Sequence, residues 1–345
     1  MNLLFKMYKV ISKNLFLLLL TVFVSCGKDE LEKDLNYVSD NQYFNDGEVE
    51  IIFENDRNNG INVIFLGDLY FQNNLEKEKG KYREHGLSNI NYLFNTPPFS
   101  EYKQYFNAYI IYAESKTSKS DDGTFEVETP FGGNITNNGN LYIENSNSIY
   151  NYIDILNLRQ THENNLVLLS INGKNAESNG FAFSGDNLAV FGDGNNKIMI
   201  HEVGHAFADL GDEYTNEDYP SYALGSYTAN LDSIDNLDLI KWKHFIGLDD
   251  YEQVGAYEGG NYRNTGFWRP ELTSIMHNLN IENNFNAPSR EAIVKRIFEL
   301  QNLEYSFEDF LNLDKITINS SKKMNAKTKI KNFKTIECGS IHFLN

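Results

Sequence analysis

The chain has 345 residues, with 48 acidic against 30 basic side chains, for a formal net charge of −18. So acidic a chain repels a polyanion, which excludes nucleic acid as a partner. With only two cysteines, Cys26 and Cys338, it is not a disulfide-stapled scaffold, and it is long enough to bury a sizeable apolar core.

Residues 1–25 carry Lys6, Lys9 and Lys13 and no acid, and an apolar run follows from Leu15 to Val24. A basic start and a short apolar run are the pattern of a secretory signal peptide; a spanning helix needs about 20 apolar residues, more than this run offers. The junction Phe23-Val24-Ser25-Cys26-Gly27 resembles a bacterial lipobox, with Phe23 where an aliphatic residue is more usual. Cys26 would become the lipid-bearing N-terminus. The expectation is an exported lipoprotein, anchored by that lipid at the bacterial outer membrane or cell surface. Removing 1–25 takes three lysines with it and leaves 320 residues at a net charge of −21. Acylation of Cys26 also rules out an intramolecular disulfide with Cys338. Residues 26–47, rich in Lys, Asp, Glu and Asn, read as a flexible tether.

The folded domain is expected over 48–305. Val49 to Phe53 and Ile61 to Leu66 are short β-type runs, the second closed by Gly67-Asp68. A polar helical stretch follows to about Tyr92, and Pro97-Pro98 marks a boundary. Ala108 to Ala113, Leu166 to Ile171 and Asn187 to Phe191 are further runs of strand length. Residues 114–148 have loop composition, and Ile149 to Leu158 has the apolar spacing of a short helix. Strands with helices interleaved describe an α/β domain with a mixed sheet and a cleft across the sheet edge. Asn187 to Phe191 is the expected edge, to which an extended substrate could add as a strand.

The next stretch carries the chemistry: His201-Glu202-Val203-Gly204-His205, continued by Ala206-Phe207-Ala208-Asp209-Leu210-Gly211-Asp212-Glu213-Tyr214. On a helix, residues four apart lie about 40° from each other in projection, so His201 and His205 can grip one ion, with Glu202 beside them. Met199, Val203, Ala206, Phe207 and Leu210 form a stripe on the other side, so one face is expected to pack while the other binds metal. Imidazoles hold Zn²⁺ without cancelling its charge, and an open position lets the ion lower the pKa of a bound water to about 7. Glu202 is then the expected general base, taking that water's proton and passing it to the leaving amine.

Two histidines need a third protein ligand. If the helix ran on, Asp212 would lie about 10 Å along the axis from His205, too far to share the ion. The chain is therefore expected to break near Leu210-Gly211 and fold back, as glycine permits. Asp212 is then the best-placed third ligand, with Glu213 the next candidate. Residues 215–265 read as loop-rich and acidic. Beyond them, Ser274-Ile275-Met276-His277 resembles the methionine turn under the zinc of metzincin peptidases. His277 is a further candidate ligand, set against a satisfied surface histidine.

Further motifs accompany the helix: Phe65-Leu66-Gly67-Asp68, Pro98-Phe99 with Tyr102 and Phe106-Asn107, Lys241-Trp242, Val254-Gly255-Ala256-Tyr257-Glu258-Gly259-Gly260, Arg269-Pro270 and Ser289-Arg290-Glu291-Ala292. With them the chain resembles, over residues 60 to 297, the bacterial IgA metallo-endopeptidase family of metzincin-like zinc peptidases. Only the helix motif is specific by itself. The resemblance implies an α/β peptidase domain with an active-site helix and a methionine turn, acting on a protein or peptide; cleavage of immunoglobulin A does not carry over. A last helix is expected from Ser289, as N-cap after Pro288, to about Gln301. The lysine-rich tail, 306–345, follows. Two functions are set against each other: a surface-anchored zinc endopeptidase, and a peptide- or glycan-binding lipoprotein that keeps the fold without turnover. Intact His201, Glu202 and His205 favour the enzyme.

Overall fold

The computed structural model describes residues 42–119, 124–158, 161–173, 176, 179–225 and 228–314. The expected signal peptide, Cys26, most of the tether, Cys338 and the tail from Lys315 lie outside the described residues.

In chain order the elements are β1 (Val49–Glu54), β2 (Ile61–Asp68), α1 (Lys81–Leu93), β3 (Phe106–Ile111), β4 (Lys116–Lys119), β5 (Phe125–Glu128), β6 (Asn134–Ile135), β7 (Leu141–Tyr142), α2 (Asn147–Asp154), β8 (Asn165–Ile171), β9 (Gly180–Phe183), β10 (Leu188–Gly192), α3 (Asn196–Ala208), β11 (Tyr257–Gly260), β12 (Arg263–Arg269), α4 (Ala287–Leu300) and α5 (Phe307–Leu313). One mixed sheet has the order β1-β3-β2-β8-β10-β9. The four middle strands are parallel, and β1 and β9 run antiparallel to their neighbours.

Strands β2, β3, β8 and β10 are buried along their whole length, and their near-continuous apolar runs are what a parallel sheet covered on both faces requires. Alternation sorts their side chains. Val63, Phe65, Ala108, Ile110, Leu166 and Leu168 join the core that includes residues of α1, α3 and α4. Ile64, Leu66, Tyr109, Ile111, Val167 and Leu169 join the opposite core, with Ile149 and Ile153 of α2. A buried asparagine row pins the register. Asn107 Nδ2 donates to Asn62 Oδ1 at 2.9 Å, and Asn62 Nδ2 donates to Asn165 Oδ1 at 3.0 Å, across three paired positions. A slip of one residue would bury these amides without partners, on top of reversing the two faces.

Several expectations shift. The edge strand is β9, not Asn187 to Phe191; that run is β10, one place inside it. The stretch read as loops over 114–148 contains the paired strands β4–β5 and β6–β7, and 215–265 contains β11 and the start of its partner β12. Helix α4 is capped by Asn286, whose side chain accepts from Ser289 N at 3.0 Å, so Pro288 and Ser289 lie inside the first turn.

The folded body also extends past both expected boundaries. Phe44 stacks on Tyr112 with ring centroids 3.7 Å apart. At the other end Phe310 of α5 is buried, and Asp314 takes a bidentate pair from Arg290, with Nε and Nη2 each 2.7 Å away. Tyr251 adds a third donor at 2.8 Å. Both partners of that pair are nearly excluded from solvent, so removing either would strand a buried charge.

Candidate metal centre

Helix α3 carries the motif. Asn195 caps it, its side chain accepting from Lys197 N at 3.1 Å and Ile198 N at 3.3 Å. The expected division into a packed face and an open face does not hold: every residue from Ile198 to Ala208 is buried, His201 and Glu202 included. The helix lies against β9 and β10 on one side and α4 on another, so it is enclosed all round.

The break comes earlier than expected and uses a different residue. Asp209 adopts the left-handed conformation, φ +50°, and the chain turns back as Asp209 N and Leu210 N donate to His205 O and Gly204 O. The bond from Asp209 N to His205 O makes this a left-handed (αL) stop, for which aspartate serves in place of glycine. Gly211 is needed for another reason. A Cβ there would fall 2.5 Å from Leu231 Cδ1, while Asn230 brackets the glycine's backbone from both sides at 2.8 Å.

The turn returns Asp212 to the histidines. Its Oδ1 lies 3.1 Å from His201 Nε2 and 3.1 Å from His205 Nε2, and the two Nε2 atoms are 3.0 Å apart. Among the described residues these three form a group able to hold a metal ion. The other ring nitrogens fix the tautomers: His201 Nδ1 donates to Ile275 O at 3.0 Å, and His205 Nδ1 donates to Leu210 O at 2.5 Å. A carbonyl only accepts, so each Nδ1 bears a proton, and each ring, when neutral, would offer its Nε2 lone pair to a cation at the centre. Burial alone would raise the Asp212 carboxyl, but positive charge and donation from His205 and His201 hold it well below the ordinary range when no cation is present, and a bound cation would take over that role.

Three electron-rich atoms facing one another at this spacing call for a cation between them. Ligands on a tetrahedral ion with bonds of about 2.0–2.1 Å stand about 3.3 Å apart, close to the spacing found. Two imidazoles and one carboxylate therefore fit a metal ion as the residues stand.

The other candidate ligands are elsewhere. Glu213, the alternative to Asp212, is turned away and fully buried. It accepts from Ser274 Oγ at 2.6 Å, Asn230 Nδ2 at 2.8 Å and Asn286 Nδ2 at 2.5 Å. Burial pushes its carboxyl up to about 7 against those hydrogen bonds. His277 is half-buried, with Nδ1 3.4 Å from Thr273 Oγ1, and is not part of the triad.

Glu202 is fully buried beneath the edge strand. Gly180 of β9 passes so close that a Cβ would meet Glu202 Cγ, Glu202 Oε1 and Ile198 Cγ2, each at 2.7 Å. A side chain at 180 would displace the carboxylate. A groove of about 1060 Å³ lies at the far end of α3, lined by Ser184, Asp209, Trp242, His244 and Arg296 among others, and none of the triad lines it.

Sequence reasoning missed Gly180, Asn230, Tyr262 and the latch role of Glu213. The Gly259-Gly260 pair was the available turn signal for the segment that carries Tyr262, whose phenol donates to Asp212 Oδ2 at 2.5 Å.

A mixed α/β domain whose buried helix joins two histidines and an aspartate defines the metal-site class. The family model described as IgA Peptidase M64 matches residues 49–251 and 248–297, most of the chain, and the chain belongs to that family. It is a peptidase family, so the reaction class is hydrolysis of peptide bonds and the substrate a protein or peptide. No curated protein matches the chain.

Proposed function

We propose that the protein is a zinc-dependent endopeptidase, anchored at the bacterial surface through a lipid on Cys26. The observation that carries the catalytic part is the convergence of His201 Nε2, His205 Nε2 and Asp212 Oδ1 within 3.1 Å beside Glu202 on the same helix. Nitrogen and carboxylate donors in a group of three suit zinc, with a fourth position left for a reactant. Bound there, zinc would supply Lewis acidity, making a water acidic near neutral pH and polarising the scissile carbonyl.

Within that centre Glu202 acts as general base, its carboxylate taking a proton from the attacking water and handing it to the departing amide nitrogen. Burial keeps the transfer out of bulk solvent. His201 and His205 are oriented by their Nδ1 bonds to Ile275 O and Leu210 O, and do not take part in the proton transfer. Met276, buried in the turn from Ser274 to His277, is read as the methionine turn: Ile275 O holds His201, and Met276 O accepts from Glu213 N at 2.9 Å. The position of Gly180 beside Glu202 supports substrate binding along β9. An extended peptide pairing with this edge strand would pass its backbone over the base, and strand addition needs no free chain end, which favours internal cleavage.

Digestion of a mixed peptide library tests the activity. Internal cleavage that stops on chelation and returns with zinc is expected; cleavage indifferent to chelator would overturn the zinc assignment. The anchor is tested separately by mass spectrometry of the N-terminal peptide from membrane-extracted protein. A mature chain beginning at lipid-modified Cys26 is expected, and an unmodified Cys26 would refute it.

A further inference from the structure

We propose that Tyr262 is a positioning residue for the metal centre, holding Asp212 so that Oδ1 rather than Oδ2 is presented to the cation. The inference rests on the metallopeptidase reading above. A free carboxylate can swing between one-oxygen and two-oxygen binding, and both of its oxygens accept hydrogen bonds. Here the two oxygens are in different surroundings. Oδ1 faces both histidines, and Oδ2 takes the Tyr262 phenol at 2.5 Å from the opposite side. Tyr262 and Asp212 are both buried, so the bond is not in competition with water.

The backbone around the tyrosine is arranged for this contact. Gly259, Gly260, Asn261 and Tyr262 all have positive φ, at +104°, +148°, +51° and +66°. Glycine adopts such angles freely, but a tyrosine does not, and strain of this kind persists where surrounding contacts over-determine it. Those contacts run along the ligand loop itself. Asn261 N donates to Asp212 O at 2.8 Å, Tyr262 N to Tyr214 O at 3.2 Å, and Asn216 N to Tyr262 O at 3.1 Å. The tip between β11 and β12 is thus laid along residues 212–216 with the phenol aimed at the carboxylate. Ring packing alone, against Tyr214, Tyr219 and Tyr222 at centroid distances of 5.4, 5.6 and 6.1 Å, would not need the hydroxyl.

The test is Tyr262→Phe, which keeps the ring and removes the hydroxyl that donates to Asp212 Oδ2 and also meets Tyr214. Zinc affinity is measured by competition with a chromophoric chelator, and the visible absorption of the Co²⁺-loaded protein is recorded alongside. Loss of a partner behind a metal ligand typically costs about 10- to 100-fold in affinity, and that loss is expected here. The cobalt bands should also weaken, as coordination rises when both Asp212 oxygens can bind. Because the tyrosine acts through the aspartate, Tyr262→Phe should add nothing in an Asp212→Ala background. Parent-like affinity and spectrum in the single variant would overturn the proposal, as would an equal further loss in the double variant. A lower melting temperature with unchanged affinity and cobalt spectrum would make Tyr262 merely structural, which also overturns it. If the parent protein takes up neither zinc nor cobalt, the metallopeptidase reading fails and this inference with it.

Discussion

Glu202→Gln is expected to keep the bound metal and to lose peptide hydrolysis by about 10²- to 10⁴-fold, the usual contribution of a positioned general base. The amide is nearly isosteric with the carboxylate, so the close approach of Gly180 is preserved and the fold is not disturbed. His201, His205 and Asp212 are untouched, and metal content measured on the same sample as the cleavage rate separates the two effects. A variant that turns over at the parental rate would show that Glu202 is not the base. One that loses its metal would show that the glutamate supports the site.

The neighbouring acids Asp212 and Glu213 are expected to fail in different ways. Asp212→Ala removes one of the three proposed ligands, so metal affinity should fall by more than the about 10- to 100-fold seen when only an outer partner is lost. Glu213→Ala removes no ligand but leaves Ser274 Oγ, Asn230 Nδ2 and Asn286 Nδ2 without their buried acceptor. Each stranded donor costs about 1–3 kcal/mol, so this variant should show the larger drop in urea-unfolding midpoint. Chelator competition on the folded fraction ranks the two. Equal ease of metal release would refute the assignment of Asp212 as ligand and Glu213 as latch.

The central strands and the metal helix were legible because their signals are local. Val63 to Leu66 and Leu166 to Ile171 are apolar enough to demand burial on both faces, and the four-residue spacing of His201 and His205 is itself helix geometry. Asp212 could be reached by asking how far a straight helix would carry it from the ion. The break was harder, since glycine is the commoner left-handed residue, and Asp209 takes the role that Gly211 was expected to fill. Strand β9 was missed because four residues beginning with glycine give too short an alternation to stand out. Tyr262, Asn230, Ser274 and Asn286 meet the ligand loop through contacts 17 to 73 residues apart in sequence, which no local periodicity reports.

The same separations bear on when the centre is built. Glu213 is tied to residues 17, 61 and 73 positions further along, and through Asn286 it is tied to the cap of α4. Contacts that close such long loops form late, because the entropy of closure must be met before the contacts contribute. A chain emerging N-terminus first therefore presents its two histidines well before the frame that aims them exists. A fragment ending short of residue 286 would hold the whole motif yet lack part of the latch on Glu213, so the loop that carries Asp212 is not fully tied down until α4 arrives.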